Sequence, residues 1–558
     1  MIQIRIGIEK GLLLVFLGGM LLAGPGMLFG GRISHEYPYD YLASDSFQHQ
    51  VRAEAIKDYG SFKLEAPYIS KGFEGVEGRY PPILYHLAVV FSYAAGIEVY
   101  DSIYFIVMFF AIAASFVMYL IIRDFDGKIA LLSLPLSMLV FSMPAATGIL
   151  WGHWPSVLSQ SFLVLFFWSI MRLDVKWSFA IIAVAMSAVF LTHTSEFVFG
   201  IMFLAIFIGI RVWGKKLSAS DIKAVLLAFA VFLALSFYYM VIFLNTWAQA
   251  QPYEFSIDPV WEGNPGFYIL GFGLLLLVMV IGMFFSLQKA KDPHVSMVLA
   301  FSMLLAGFMN YAGFQLRSFQ VRFFWPIYLS VFFGFGLYVI LRLFIKNWNF
   351  AHAAAAFSVF LILISGLINF PVLFQTENQA VPSIPQANLM ANNGIMDSMH
   401  WESLEWLSEN AEEGARVYFF YGDIYSQDAL LRNSKRVHYQ VDPQDFVNSL
   451  QEREVKEAYV SEMPGDTGGS IKVREGFFSF RDPRKNIPQE SFFGPMSICS
   501  FDYHVFDKGS AQDVLARYNI LIANSMLGNG ASLAFENDLV VILKNNKVDG
   551  DCIEEGKF

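Results

Sequence analysis

Long apolar stretches recur along this 558-residue chain, and that recurrence restricts its fold more than any other feature. In lipid every backbone amide and carbonyl must be satisfied internally, so only helices and closed barrels cross a bilayer. Runs of about 18 or more apolar residues fit helices rather than the shorter strands of a barrel. Such runs lie at about 11–30, 101–122, 129–146, 156–172, 177–193, 196–213, 222–244, 267–287, 295–313, 323–345 and 351–373. The pattern predicts an α-helical polytopic membrane protein of about eleven spans. The first run, Gly11 to Phe29, follows Arg5 and Lys10 as in a signal peptide. No small-residue cleavage site is evident and many spans follow, so it reads as an uncleaved first helix.

Basic residues set the expected orientation. With the N-terminus in the cytoplasm, the inner loops hold Arg123 and Lys128, Arg172 and Lys176, Lys215 and Lys216, Lys289 and Lys291, and Lys346. That distribution satisfies the positive-inside rule. The stretch Pro81–Gly96 is short and carries two prolines. Counting it as a span would move the Lys215 cluster outside, so it reads as an interfacial helix.

Three outer segments remain: 31–100, 245–266, and everything after about 376. The expected division is a bundle over 1–375, with its outer loop 31–100, and an extracytoplasmic α/β domain over 376–558. Asn378–Asn393, rich in Pro, Asn and Gln, reads as a linker. Beyond it, Ser398–Asn410 has helical spacing with Trp401, Leu404 and Leu407 on one face. Val417–Tyr421 reads as a strand. Two helix–strand pairs follow, Gln444–Gln451 with Ala458–Ser461 and Ala511–Tyr518 with Ile520–Ala523, and Leu539–Leu543 reads as a last buried strand. The net charge of −10 argues against nucleic acid as a partner. The two cysteines, Cys499 and Cys552, can pair if their segment is extracytoplasmic.

Ionisable residues gather in the outer segments. Asp45 and His49, four apart, share one face of a helical turn and can hold a metal ion or take a proton from an acceptor. Arg52 and Glu54 follow closely. The turn Trp151-Gly152-His153-Trp154-Pro155 joins two spans. His153 there is either an aromatic-belt contact or a group projecting into the cavity of Asp45. His193 and Glu196 end an apolar run, where they require a partner or a wet cavity. The loop 245–266 carries Glu254, Asp258 and Glu262, either as a mobile flap or as a solvated surface. Arg317 and Arg322 sit at the outer end of a span, where positive charge is disfavoured. A guanidinium there suits an anion, and a lipid-borne phosphate matches it bidentately.

This layout resembles the GT-C superfamily of membrane glycosyltransferases, and within it the catalytic subunit of oligosaccharyltransferase. Asp45-x-x-x-His49 resembles the family's first acidic motif, whose Asp helps hold a divalent metal and the acceptor. The turn ending in His153 falls where the second acidic motif lies. Val260-Trp261-Glu262 resembles the flap motif ending in a functional Glu. Arg322-Phe323, followed by an aromatic residue and Pro326, resembles the family's phosphate-binding Arg. Trp401–Gly422 resembles the start of the family's outer domain.

Two departures qualify the likeness. Trp151 stands where the family has an Asp before the His of its second motif, and indole cannot ligate a divalent cation. Phe419-Phe420-Tyr421-Gly422-Asp423 stands where the family reads the acceptor sequon. The resemblance therefore implies sugar transfer from a polyprenyl-phosphate or -diphosphate donor to an unidentified acceptor on the outer face, and not Asn-linked transfer to protein. Asp45 and His49 are the expected catalytic groups, with Glu262 closing over the site. Arg322, Arg317, His153, His193 and Glu196 are the expected substrate-binding groups. Whether Asp45, His153 and Glu262 also hold a divalent metal, Mg2+ or Mn2+, is left open by the missing acid. The competing classes are a diverged oligosaccharyltransferase acting on protein, and a non-catalytic lipid or polysaccharide transporter or assembly scaffold. A transporter should place acids and broken helices near mid-membrane, whereas here the ionisable groups collect at one face.

Overall fold

The computed structural model describes residues 7–41, 44–60, 67–70, 73–77, 80–173, 175–249, 265–288, 294–314, 317–345, 349–364, 396–412, 414–419, 437–439, 499, 501–508, 513–548 and 550–553. Glu254, Asp258, Glu262, Lys289, Lys291, Lys346, the 378–393 linker, Phe420–Asp423 and the proposed pair over 444–461 lie outside these residues. The bundle begins with α1 (Ile8–Leu21), continued by a π-helical turn over Leu22–Leu28. The segment between α1 and the next long apolar helix carries α2 (Ser44–Tyr59), the hairpin β1 (Pro67–Ser70) and β2 (Phe73–Glu77), and α3 (Ile83–Ala95). The bundle then continues through α4 (Val99–Arg123), α5 (Gly127–Ser137), the short α6 (Thr147–Leu150), α7 (Trp154–Ile170), α8 (Ser178–Phe190) and α9 (Thr194–Trp213). Next come α10 (Ala219–Gln249), α11 (Pro265–Leu270), α12 (Leu275–Leu287), α13 (Val295–Ala306), a 3-10 turn over Ser318–Phe324, α14 (Trp325–Tyr328), α15 (Ser330–Phe344) and α16 (Asn349–Leu363).

Among the described residues five helices are long and apolar enough to cross a membrane, and further apolar helices are shorter. Several expected spans are broken. The run 129–146 is α5 followed by a 3-10 turn, and 323–345 is divided among a 3-10 turn, α14 and α15. Pro81–Gly96 forms α3, which Gly96 ends in the left-handed conformation.

Small residues let the helices approach closely. A Cβ on Gly282 of α12 would collide with the Phe332 carbonyl of α15, and one on Gly336 of α15 with the Val278 carbonyl of α12. Such contact replaces the hydrophobic drive that is absent between helices in lipid. At the surface, Leu226, Leu235, Phe237 and Tyr238 of α10 are exposed. A surface helix that is apolar all round is a lipid-facing one. At one end of the bundle Glu9 of α1 accepts from Arg123 at 2.7 Å and Tyr119 at 2.5 Å on α4.

After the bundle comes α17 (Ser398–Asn410), capped by the Asp397 carboxylate on the amides of Met399 and His400. It buries Trp401, Leu404 and Leu407, the face anticipated from their spacing. The sheet is β4-β3-β5-β7-β6, built from β3 (Ala415–Phe419), β4 (Val437–Tyr439), β5 (Tyr503–Asp507), β6 (Ser532–Glu536) and β7 (Val540–Lys544). β3 runs parallel to β4 and β5, and the other pairs are antiparallel. One expectation is corrected here. Ile520–Ala523, read as a strand, lies inside α18 (Asp513–Gly528). The apolar face of a continuous helix, which buries Ile522 and Met526, overrides the local strand propensity. Cys499 and Cys552 form a disulfide across 53 residues. The Tyr100 ring at the start of α4 meets Trp401 edge-on at 5.7 Å, joining the bundle to α17.

Candidate active site

The site is organised by one glycine. Gly152 has φ +76°, a conformation that L side chains rarely adopt. A Cβ there would lie 2.7 Å from Ser46 Oγ and 2.8 Å from the Asp45 carbonyl carbon, with the Ser46 amide nearer still. The missing side chain lets the α6–α7 turn press onto the first turn of α2. His153 thereby sits close enough to Asp45, Arg317 and His193 to feel the charge of each. Desolvation pushes its imidazole down to about 4, Asp45 opposes that shift, and Arg317 and His193 add to it. At neutral pH His153 is therefore uncharged and takes part in hydrogen bonds as a neutral imidazole.

A buried polar chain runs from His153 into the bundle. Gln320 Nε2 lies 3.0 Å from His153 Nδ1, and the His153 ring stacks on Phe323 at 5.2 Å. Gln160 Nε2 donates to the Gln320 carbonyl at 3.0 Å and to Ser156 Oγ at 3.1 Å. Ser156 donates to Glu196, and Glu196 also holds His193 Nδ1. The fully buried Glu196 thus has the partners its position demands. Each link stays satisfied only while the others remain in place, so the chain fixes the relative positions of α7, α9 and the 318–324 turn.

His49, one turn beyond Asp45 on α2, points into an aromatic cluster. Its Nδ1 is 2.9 Å from the Tyr85 hydroxyl, which Arg52 also approaches at 3.4 Å. Tyr80 lies between two histidines, 5.4 Å from the His49 ring and 6.1 Å from that of His193. Trp154, fully buried, donates Nε1–H to the Ile149 carbonyl at 2.6 Å and meets Tyr41 edge-on at 5.1 Å. It is a packing element, whereas Trp151 is 47% exposed.

The two arginines differ. Arg317 is exposed and acts on His153. Arg322 is fully buried and donates to the Gly307 carbonyl and to Asn310 Oδ1, both at 2.8 Å. Its guanidinium lies 5.4 Å from the Tyr311 ring and 5.7 Å from that of Tyr268. Arg322 also lines a narrow open crevice with Tyr268, Ser142, Met143 and Pro144. Asp45 and His153 do not line this crevice. His153 connects to it through Phe323, whose ring lies against both His153 and Tyr268.

The structure thus brings Asp45, His153, His193 and Arg317 within electrostatic reach, ties Glu196 to them, and places Arg322 in the adjoining crevice. Among the described residues no three His, Cys, Asp or Glu side chains come together to hold a metal. Glu262, the third expected ligand, lies outside those residues. The described residues do not by themselves fit a divalent ion at Asp45, and no step below is routed through one. Sequence reasoning missed Gln160, Gln320, Ser156, Tyr80 and Tyr85 as members of the site. Their only advance signal is polarity inside otherwise apolar runs.

No protein-family model matches the chain, and no curated protein matches it in sequence. Solved structures do match. ArnT from Cupriavidus metallidurans in the apo state aligns with TM-score 0.57 at 10% identity, covering 97% of this chain and 98% of that one. ArnT from the same organism bound to undecaprenyl phosphate aligns with TM-score 0.52 at 11% identity, over 96% and 98%. The Archaeoglobus fulgidus oligosaccharyltransferase in the apo form aligns with TM-score 0.55 at 12% identity, over 97% and 75%. The agreement spans almost the whole chain, bundle and C-terminal sheet together. The protein is therefore a multi-pass membrane protein with the fold of the GT-C glycosyltransferases.

Proposed function

We propose that the protein is a glycosyltransferase that moves a sugar from a polyprenyl-(di)phosphate carrier to an acceptor at the outer membrane face. The observation that carries this reading is the contact at Gly152. It presses the first turn of α2, which bears Asp45, onto the turn that bears His153, so that Asp45 and the exposed Arg317 both act on a neutral imidazole, beside a crevice bearing a second arginine. The fold shared with ArnT, which has been solved bound to undecaprenyl phosphate, supports a polyprenyl-borne donor.

In this reading the Asp45 carboxylate takes the proton of the acceptor hydroxyl as its oxygen attacks the anomeric carbon. The bond from that carbon to the phosphate oxygen breaks, and the electron pair leaves with the phosphate. Arg317, with Arg322 reaching from the crevice, stabilises the charge that develops there. His153 stays neutral and bonds the acceptor or a phosphate oxygen. The His193–Glu196 pair and Gln320 hold that side of the pocket in place. Glu262, on the 245–266 loop, closes over the bound substrates. The N-terminus is cytoplasmic, and the segment after 376 shares the outer face with the site.

The test is incubation of the purified protein with radiolabelled polyprenyl-linked sugars, with and without divalent metal. Release of label from the carrier that depends on acceptor and on Asp45 supports the reading. Intact donor under every condition, with bound lipid carried across vesicles instead, moves the protein to the transporter class.

A further inference from the structure

Two orphaned hydrogen-bond donors lie at the end of the bundle opposite Asp45, and what they imply is independent of the sugar-transfer reading. α7 starts at Trp154, beside His153, and its 17 residues carry the chain about 25 Å to the turn at 171–177. α8 returns from that turn toward His193 and Glu196, and α9 runs away again to Trp213. The turns at 171–177 and 211–218 therefore share one end of the bundle. Their helices are neighbours, with α7 packed on α8 and α9, and α10 packed on α8.

At this end Trp168 Nε1 and Arg172 Nε are both enclosed without a hydrogen-bond partner. Each nitrogen can only donate, and leaving a buried donor unmet is costly. The Arg172 guanidinium lies 4.7 Å from the centre of the Trp168 ring. That stack uses the flat face of the guanidinium and leaves its edge, where the N–H bonds lie, for an acceptor. Arg211, in the neighbouring turn, is paired instead. It donates to the Lys216 carbonyl at 3.2 Å and lies 3.5 Å from the Asp221 carboxylate. The setting is cationic. Lys176 is exposed, with its ammonium 5.9 Å from the Trp177 ring, and Lys215 and Lys216 stand in the neighbouring turn. The one acid between 171 and 177, Asp174, lies outside the described residues. Trp177 supplies α8 with no side-chain cap, so the positive end of that helix also opens on the turn. The Trp177 and Trp213 rings are exposed at the ends of apolar helices, which is where tryptophan marks the headgroup level.

Donors without acceptors, at headgroup level and among cations, suit the oxygens of a phosphate. We propose that Trp168 and Arg172 bind the phosphate of an anionic phospholipid, with Lys176 adding attraction from the same turn. A headgroup of net negative charge is favoured because Lys176, Lys215 and Lys216 repel the ammonium of a zwitterionic one. The exposed tryptophans favour lipid over free phosphate, since their rings offer apolar surface to the glycerol backbone and upper acyl chain. The competing account is packing alone, in which Arg172 offsets the carbonyl end of α7 and stacks on Trp168.

The test uses the full-length protein, delipidated in neutral detergent. Binding of radiolabelled phosphatidylglycerol is measured at equilibrium, with thermal melting alongside. Wild type should bind saturably and melt higher when loaded. Unlabelled phosphatidylglycerol should displace the label roughly 10-fold more effectively than phosphatidylcholine, and millimolar inorganic phosphate should not displace it. Arg172→Gln should weaken binding roughly 10-fold or more, the scale of one lost charge-assisted bond. Trp168→Phe keeps an aromatic ring beneath Arg172 and removes the donor, so it should weaken binding roughly 3-fold or more; it keeps the test open if Arg172→Gln misfolds. Arg211→Gln removes a cation from the same end of the bundle that is already paired with Asp221, and it should bind as wild type does. Wild type without saturable binding overturns the proposal. So does displacement by inorganic phosphate, equal displacement by phosphatidylcholine, or weakening by Arg211→Gln as large as that by Arg172→Gln, the mark of diffuse attraction. Binding unchanged in Arg172→Gln and Trp168→Phe while both melt lower overturns it in favour of packing alone.

Discussion

Gly152→Ala is the substitution that most sharply separates this site from mere packing. The added methyl meets backbone on the neighbouring segment, with the Asp45 carbonyl carbon at 2.8 Å and the Ser46 amide closer. Ordinary contact begins near 3.5 Å, so the turn and α2 must part by roughly 1 Å. The positive φ adds about 1–2 kcal/mol for any side chain. That cost leaves a bundle of this size folded. Misplacement by about 1 Å between reacting groups lowers rate on the order of 10²-fold. The assay is single-turnover transfer from a labelled polyprenyl-linked sugar, run beside thermal melting. The expected result is a modest fall in melting temperature with a loss of transfer far larger than the unfolded fraction explains. Gly209→Ala is the control, because a Cβ there has nothing within 4 Å, and it should leave both readouts unchanged. A Gly152→Ala enzyme that transfers at the wild-type rate would refute the argument that this contact sets Asp45 against His153.

Three further outcomes are expected. Arg322→Lys should lower both transfer and stability, because an ammonium cannot bridge the Gly307 carbonyl and Asn310 while facing the crevice as a planar fork does; unchanged values for both would remove Arg322 from the account. Trp151→Asp introduces an acid two residues before His153 at an exposed position, so it should fold normally and not raise activity in metal-free buffer, and calorimetry should detect new divalent-metal binding; a metal-free gain in rate would contradict this. Burial opposes the charging of His400, but hydrogen bonds to the Asp397 and Asp507 carboxylates prevail and lift it to about 9. A raised folded value means that its stabilisation is complete below the ordinary 6.5 and is lost as pH rises through about 9. The melting-temperature gap between wild type and His400→Gln should therefore close over that window, and a constant gap would contradict the pairing.

The sequence carried the bundle because lipid burial writes itself as long apolar runs. It also carried α17, where Trp401, Leu404 and Leu407 recur at helical spacing. Strand β5 was not legible, because Tyr503–Phe506 is buried on both faces and lacks alternation. Ile520–Ala523 misled for a related reason, since four apolar residues fit either element and only the longer face of α18 decides. Asp45 stood out as an acid in the first outer loop, His153 as a histidine in a turn between spans, and His193 and Glu196 as ionisable residues at the end of an apolar run. Gln320 did not, because its significance lies in a contact with His153 across 167 residues. Gly152 offered only a letter. Its role exists in the approach of two segments about one hundred residues apart.

The central claim is that Asp45 acts on the acceptor, and single-turnover transfer by Asp45→Asn tests it most directly. The amide keeps the shape of the carboxylate and removes its charge. The account predicts donor binding close to wild type with transfer slowed roughly 10²-fold or more, the usual scale for general-base catalysis. Full transfer activity in the folded Asp45→Asn protein would contradict the account.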